Sequence, residues 1–132
     1  MSDVRRAPGD PGRVTVQEAA VRTGHGTNGN AADSRTDAVL LDVREPHEWQ
    51  AGHVPWAVHL PLSALTAGAG LPAEARARSL VVICRSGNRS REAAELLAAR
   101  GADVVDVTGG MRDWAGAGLP VVDARGGNGT VA

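Results

Sequence analysis

Lysine, phenylalanine and tyrosine are absent from the 132 residues of this chain. Without lysine, and with a formal net charge of -1, the chain lacks the basic surplus that neutralises a phosphate backbone, which argues against nucleic-acid binding. Because two of the aromatic types are missing, the core must be built from Val, Leu, Ile and Ala. The large aromatic residues left for it are Trp49, Trp56 and Trp114.

Long apolar runs are also missing. Stretches such as residues 80–84 are far too short to cross a bilayer, and residues 1–11 contain no apolar segment of the kind found in signal peptides. We therefore expect a cytoplasmic protein without a membrane partner.

Cysteine occurs once, at Cys84. A single thiol excludes an intramolecular disulfide and a zinc site built from several thiolates. The four histidines contain no pair at i, i+4 spacing, the arrangement that places two ligands on one helix face; they are His25, His47, His53 and His59. We therefore expect neither a bound metal nor a cofactor.

The remaining sequence indicates a single domain. Residues 13–123 carry the apolar periodicity, whereas residues 1–12 and 124–132 are polar or Gly-rich and are predicted to be disordered tails. Within the domain, residues 23–36 are polar and have no apolar period, which predicts a flexible surface loop.

Apolar runs of strand length alternate with helical segments along the domain. Strands are predicted at 14–16, 38–43, 57–60, 80–83 and 104–107, and helices at 16–22, 46–51, 73–78 and 90–100. Thr15 and Glu18 form the pattern of a capping box at the start of the first helix. Continuous apolar strands alternating with helices predict an α/β fold, with a parallel sheet covered on both faces.

The surroundings of Cys84 favour chemistry over packing. Cys84 follows the strand at 80–83 and precedes a helix, so it lies at the sheet edge where open α/β folds bind ligands. A short loop containing Gly87 at a helix N-terminus can form an anion nest that stabilises a thiolate. Arg85, Arg89 and Arg91 add positive charge, although cations at a helix start oppose its dipole. A small buried hydrophobe at a strand end, the other interpretation of Cys84, leaves this cluster unexplained.

Three motifs, in this order, resemble those of a single-domain rhodanese from about Val14 to Val122. The first is Leu-Asp-Val-Arg-Glu at 41–45, with Glu-Trp at 48–49 and Gly-His-Val-Pro at 52–55. The second is Cys-Arg-Ser-Gly-Asn-Arg-Ser at 84–90, and the third is Gly-Gly-Met at 109–111 with Trp114.

The resemblance implies a three-layer α/β/α domain with a five-stranded parallel sheet and a six-residue active loop. It further implies that Cys84 takes sulfane sulfur from thiosulfate or a persulfide donor and passes it to cyanide or a thiol, as a sulfurtransferase does. A thioredoxin-like or sulfur-carrier protein could supply that thiol. The remaining loop residues would bind the substrate and surround the persulfide; they are Arg85, Ser86, Gly87, Asn88 and Arg89.

Two further residues are expected near the loop. The resemblance implies an ion pair between Asp42 and Arg44 with Arg44 near the substrate entrance, and a local structural salt bridge is the alternative. The chain departs from the family at Trp56, which follows Pro55 where the family usually places glycine. We expect Trp56 to pack on the surface near the site.

Other functions remain open from the sequence alone. Cysteine phosphatases and arsenate reductases place five residues between cysteine and arginine, whereas four separate Cys84 from Arg89, and Ser90 stands where that arginine would be. A rhodanese-like module that binds a protein without turnover is a second alternative, although such modules commonly lack the cysteine. A sulfur relay to a biosynthetic partner is a third.

Overall fold

The computed structural model describes residues 12–25 and 38–131. The predicted tail up to residue 11 and most of the predicted loop at 23–36 lie outside these residues. Strands and helices alternate along the described chain in this order: β1 Gly12–Val14, α1 Val16–Arg22, β2 Val39–Asp42, α2 Pro46–Ala51, β3 Val58–His59, α3 Leu62–Thr66, β4 Leu80–Ile83, α4 Asn88–Ala99, β5 Val104–Val107 and α5 Gly110–Gly116. A 3₁₀ turn at Ala73–Ala75 precedes β4.

The sheet has five strands in the order β1-β5-β4-β2-β3. Every neighbouring pair is parallel, with Asp42 opposite Ile83 and Val82 opposite Asp106. This confirms the predicted five-stranded parallel sheet. Because β4 is the central strand, the residue that follows it, Cys84, emerges in the middle of the carboxyl edge.

Alternate strand residues supply two separate cores. Leu41, Val82 and Cys84 face the side covered by α3 and α4, whereas Leu40 and Ile83 face the side covered by α1 and α5. Helices therefore cover both faces, and the three-layer α/β/α architecture is confirmed.

Local capping sets several boundaries. The Thr15 hydroxyl accepts a hydrogen bond from the backbone N–H of Glu18 at 3.2 Å, as predicted for the start of α1. The Glu18 carboxylate instead accepts from Arg22, so only half of the capping box forms. The active-loop helix α4 begins at Asn88, earlier than the predicted residue 90, because Gly87 adopts the left-handed conformation as its N-cap.

Residues 124–131 fold back onto the domain, where the sequence predicted a disordered tail from residue 124. Val122 forms a bridge with Asn128, and the N–H of Thr130 donates to the carbonyl of Ala51 at 3.0 Å. A Cβ on Gly52 would collide with the backbone of Thr130. Because residue 52 is glycine, the C-terminal segment can pack closely against it. The composition of residues 124–132 does not predict this packing.

Trp114 is fully buried, as predicted, and its indole N–H donates to the carbonyl of Pro120 at 2.9 Å. Its indole supplies aromatic bulk to the core on the α1 and α5 side of the sheet, in a chain that has no phenylalanine or tyrosine to do so. Across residues 12–25 and 38–131, no helix has the length and apolar character needed to cross a membrane.

Candidate active site

Cys84 lies at the carboxyl end of the central strand with 1% of its surface exposed. Its Sγ accepts a hydrogen bond from the backbone N–H of Gly87 at 3.1 Å. Its carbonyl accepts one from the N–H of Met111 at 2.7 Å, which ties the start of the loop to α5. The thiol thus lies on the floor of a turn that leads directly into the N-terminus of α4.

Two glycines allow this turn to be compact. Gly87 has a φ of 109°, and a Cβ there would lie 3.2 Å from the backbone nitrogen of Gly109. Gly110 has a φ of 59°, and a Cβ there would collide with the carbonyl of Cys84 and the backbone of Arg85. The glycine pair at 109–110, known from the sequence only as part of a motif, is therefore part of the floor of the loop.

Arg89 is held by a carboxylate from another helix. Its two terminal nitrogens donate to the two oxygens of Glu48 at 2.6 and 2.8 Å. The bonds from Arg89 are the main reason that the pKa of Glu48 falls from 4.5 to about 2, and the same bonds raise the pKa of Arg89. Glu48 was noted in the sequence only as a motif residue; its role as the partner of Arg89 was not predicted.

Asp42 and Arg44 form the expected ion pair, with 2.8 Å between Nη2 of Arg44 and Oδ2 of Asp42. Both side chains are 0% exposed, and Nη2 also donates to the carbonyl of Gly52 at 2.6 Å. Nη1 of Arg44 has no hydrogen-bond acceptor among the described residues. Since the guanidinium is fully enclosed, Arg44 does not line a substrate entrance, and the pair has the geometry of a structural salt bridge.

The remaining polar residues of the loop form its rim. Arg85, Ser86 and Asn88 are exposed, and the carbonyl of Arg85 accepts from the N–H of Arg112 at 3.0 Å. Arg91 belongs to the outer face of α4, where its Nε lies 3.8 Å from the carboxylate of Glu95. The predicted cluster of three arginines therefore separates into a rim residue, a paired residue and a surface residue.

Arg13 is a further cation at the loop, and sequence reasoning missed it. Its Nη2 donates to the carbonyl of Gly87 at 2.9 Å and to the carboxylate of Asp106, also at 2.9 Å. Arg13 is 93 residues from Asp106 and 74 from Gly87 along the chain, so no local pattern connects them.

The tryptophans outside the core lie in different places. Trp49, predicted to pack in the core, is half-buried and stacks between His53 and His59, with ring centroids 3.6 and 4.7 Å away. Trp56 is 84% exposed and has a φ of 65°, the left-handed region in which glycine is ordinary. Because it precedes β3 in a parallel sheet, it lies at the amino edge. The expectation that it packs near the site is wrong.

Within the described residues, no group of His, Cys, Asp and Glu side chains could hold a metal ion. What the site offers is a thiol beneath a backbone N–H, a helix N-terminus and paired arginines. Such an arrangement suits a nucleophilic sulfur and an anionic reactant.

This α/β domain with a cysteine loop at the carboxyl edge matches the sequence model of the rhodanese-like domain over residues 29–117. The chain belongs to the rhodanese-like family. It is 39% identical over 91 residues to the "Putative sulfur carrier protein YrkF" of Bacillus subtilis, covering 64% of this chain and 45% of that protein. It is 37% identical over 84 residues to the "Probable adenylyltransferase/sulfurtransferase MoeZ" of Mycobacterium tuberculosis, covering 63% of this chain and 21% of that protein.

Among solved structures, a rhodanese-related protein of Thermoplasma volcanium superposes with a TM-score of 0.63 at 28% identity. That superposition covers 84% of this chain and 97% of the other. By contrast, the chain spans half or less of the length of the curated relatives it matches.

Proposed function

We propose that the protein is a sulfurtransferase that carries sulfane sulfur as a persulfide on Cys84. The observation that carries the proposal is the hydrogen bond from the Gly87 N–H to Cys84 Sγ, in a loop that opens α4. A backbone N–H directed at sulfur stabilises the anionic forms of both the thiol and the persulfide. The names of two relatives, a sulfur carrier and a sulfurtransferase, support the same chemistry.

In the first step the Cys84 thiolate attacks the outer sulfur of thiosulfate. A sulfur–sulfur bond forms to Cys84 while the bond to the sulfonate sulfur breaks, and its electron pair leaves on sulfite. The products are a Cys84 persulfide anion and sulfite, so charge is conserved without an external oxidant or reductant.

The loop stabilises this step electrostatically. The N-terminal N–H groups of α4 carry the positive end of the helix dipole and stabilise the negative charge that develops on the terminal persulfide sulfur. Arg89 is one-third exposed although Glu48 holds two of its nitrogens, so its other N–H groups can meet the sulfonate. Glu48 therefore sets the direction of the guanidinium without removing it from the site.

In the second step an acceptor thiolate or cyanide attacks the terminal sulfur and regenerates the Cys84 thiolate. We propose a thiol on a small molecule or on a thioredoxin-like or sulfur-carrier protein as the physiological acceptor, with no cofactor. A reducing compartment such as the cytoplasm keeps both thiols available.

A phosphatase or arsenate reductase is less well supported by the loop. Ser90, at the position where those enzymes need arginine, is fully buried, and its hydroxyl donates to Asp106 at 3.1 Å. It cannot turn to cradle a tetrahedral oxyanion without leaving a buried carboxylate less well satisfied.

The proposal is tested by steady-state sulfur transfer from thiosulfate to cyanide and, separately, to a dithiol. We expect Cys84→Ser to abolish both reactions and Arg91→Ala, on the outer face of α4, to retain them. Full activity in Cys84→Ser would rule the proposal out. Transfer to the dithiol without transfer to cyanide would support the thiol acceptor.

A further inference from the structure

We propose that Arg13 is a positioning residue for the active loop, acting through an ion pair with Asp106 that holds the carbonyl of Gly87. This inference rests on the proposed function, because it concerns how the sulfur-bearing loop is kept in shape. Arg13 lies outside residues 29–117, the part of the chain that matches the family model. The match to the family model therefore does not include this residue.

The pair connects three elements at the carboxyl edge. From β1, Arg13 donates through Nε and Nη2 to the Asp106 carboxylate on β5, at 3.0 and 2.9 Å for the shorter contacts. Asp106 is 1% exposed and also accepts from Ser90 in α4. The same Nη2 of Arg13 reaches the carbonyl of Gly87 at 2.9 Å. The guanidinium of Arg13 thus joins β1, β5 and the start of α4.

Gly87 is where such a contact has the largest effect on Cys84. Its N–H donates to Sγ while its carbonyl accepts from Arg13, so both sides of this residue are fixed. Glycine has more backbone freedom than any other residue, and a φ of 109° is one of many conformations open to it. Without the bond to its carbonyl, we expect the N–H to point at sulfur for a smaller fraction of the time.

The charges around Arg13 favour a role in positioning the loop over a role in attracting the anionic sulfur donor. The guanidinium of Arg13 is neutralised by the buried carboxylate of Asp106, and this hydrogen-bonded pairing is the main cause of its raised pKa. The Cys84 thiolate adds a smaller effect in the same direction, as expected for a nearby group. Since the pair has no net charge, its loss should slow the chemical step more than it weakens donor binding.

The first test is single-turnover persulfide formation with thiosulfate. The double variant Arg13→Gln with Asp106→Asn removes both charges together, so that no buried charge is left unpaired, and Arg91→Ala is the surface control. We expect the limiting rate constant of the double variant to fall about tenfold, the equivalent of one lost hydrogen bond to a charged group. The half-saturating thiosulfate concentration should stay within about twofold of the wild type.

Arg13→Lys separates charge from geometry. Lysine keeps the positive charge beside Asp106 but lacks the planar fork that reaches the carboxylate and a carbonyl together. We expect a fall in the limiting rate constant in this variant too. An unchanged rate constant in the double variant, or a rise confined to the half-saturating concentration, would overturn the inference.

The second test needs no sulfur donor and so separates this inference from the proposed function. Amide hydrogen exchange of the free protein reports on Gly87. The Ala19 amide, which donates to the carbonyl of the α1 N-cap Thr15, is the internal reference. We expect Gly87 to exchange about tenfold faster in the double variant while Ala19 is unchanged. Equal acceleration of both amides, or none at Gly87, would overturn the inference. If the wild type forms no persulfide yet Gly87 behaves as expected, only the proposed function fails.

Discussion

Glu48 on α2 and Arg89 in the active loop form a two-bond ion pair across 41 residues of sequence, with contacts of 2.6 and 2.8 Å. The carboxylate is almost completely buried and the guanidinium is one-third exposed. The loop is therefore fastened to α2 by this pair and to β1 and β5 by Arg13. A loop on the open surface would lack both of these ion pairs.

Replacing Glu48 by glutamine should destabilise the protein at neutral pH. The pKa of Glu48 is lowered from 4.5 to about 2 in the folded protein, so the stabilisation is present above 4.5 and is lost as the pH falls through about 2. After allowance for solvent near Arg89, we expect a loss of about 2 kcal/mol at neutral pH.

Urea denaturation at pH 7 and near pH 3 measures this effect. The difference between wild type and Glu48→Gln should shrink at the lower pH. Glu18→Gln removes an exposed i, i+4 pair with Arg22 and serves as the control, with an expected loss below about 0.5 kcal/mol. A difference for Glu48→Gln that is the same at both pH values would contradict the ion-pair account.

Removing one partner of the buried pair should cost more. Asp42→Asn leaves the enclosed charge of Arg44 without its counter-ion, and we expect the free energy of unfolding to fall by about 3–5 kcal/mol. Asp42→Leu combined with Arg44→Met removes both charges and should recover most of that loss. A fall below about 1 kcal/mol for Asp42→Asn, measured by urea denaturation, would show that water reaches Arg44.

Alanine at position 87 should damage the loop beyond ordinary backbone strain. Both Gly87 and Gly68 have positive φ, 109° and 100°, but a Cβ meets close neighbours only at Gly87. Each substitution should cost about 1–2 kcal/mol in stability. Only Gly87→Ala should slow persulfide formation, by about tenfold, because it displaces the N–H from sulfur. Equal rates in the two variants would mean that the Gly87 geometry does not matter to the reaction.

Trp56→Gly should leave sulfur transfer unchanged. Trp56 lies at the amino edge, where its ring centroid is 5.5 Å from that of His25, and Cys84 lies at the opposite edge. Glycine relieves the positive φ, so we expect no loss of stability from the backbone. The rates of persulfide formation in the wild type and in Trp56→Gly check this prediction. A rate change above about threefold would show that Trp56 influences the site at the opposite edge of the sheet.

The parts of the fold that the sequence predicted are those with local signals. The apolar run at 80–83, a following Gly and a helix were sufficient to place Cys84 at the carboxyl edge. The shift of the α4 start to Asn88 follows from Gly87 acting as a left-handed N-cap, which the residue type allows but does not require. The short helix α3 was missed because its N-cap is Pro61, which supplies no polar capping side chain.

The ion partners could not be predicted in the same way. Glu48 and Arg89 share no local pattern, and neither do Arg13 and Asp106. Which carboxylate meets which arginine depends on strand order and register, and these arise from the packing of the whole sheet. Residue types and spacing predict Cys84 as the nucleophile; the residues that hold its loop became visible only in the fold.

The central claim is tested most directly by the intact mass of the purified protein before and after thiosulfate, with Cys84→Ser alongside. Because Cys84 is the one cysteine in the sequence, the site of any added sulfur is unambiguous. The account predicts a gain of one sulfur atom in the wild type only, removed by cyanide or a thiol. No gain with thiosulfate or with persulfide donors, or an equal gain in Cys84→Ser, would contradict it.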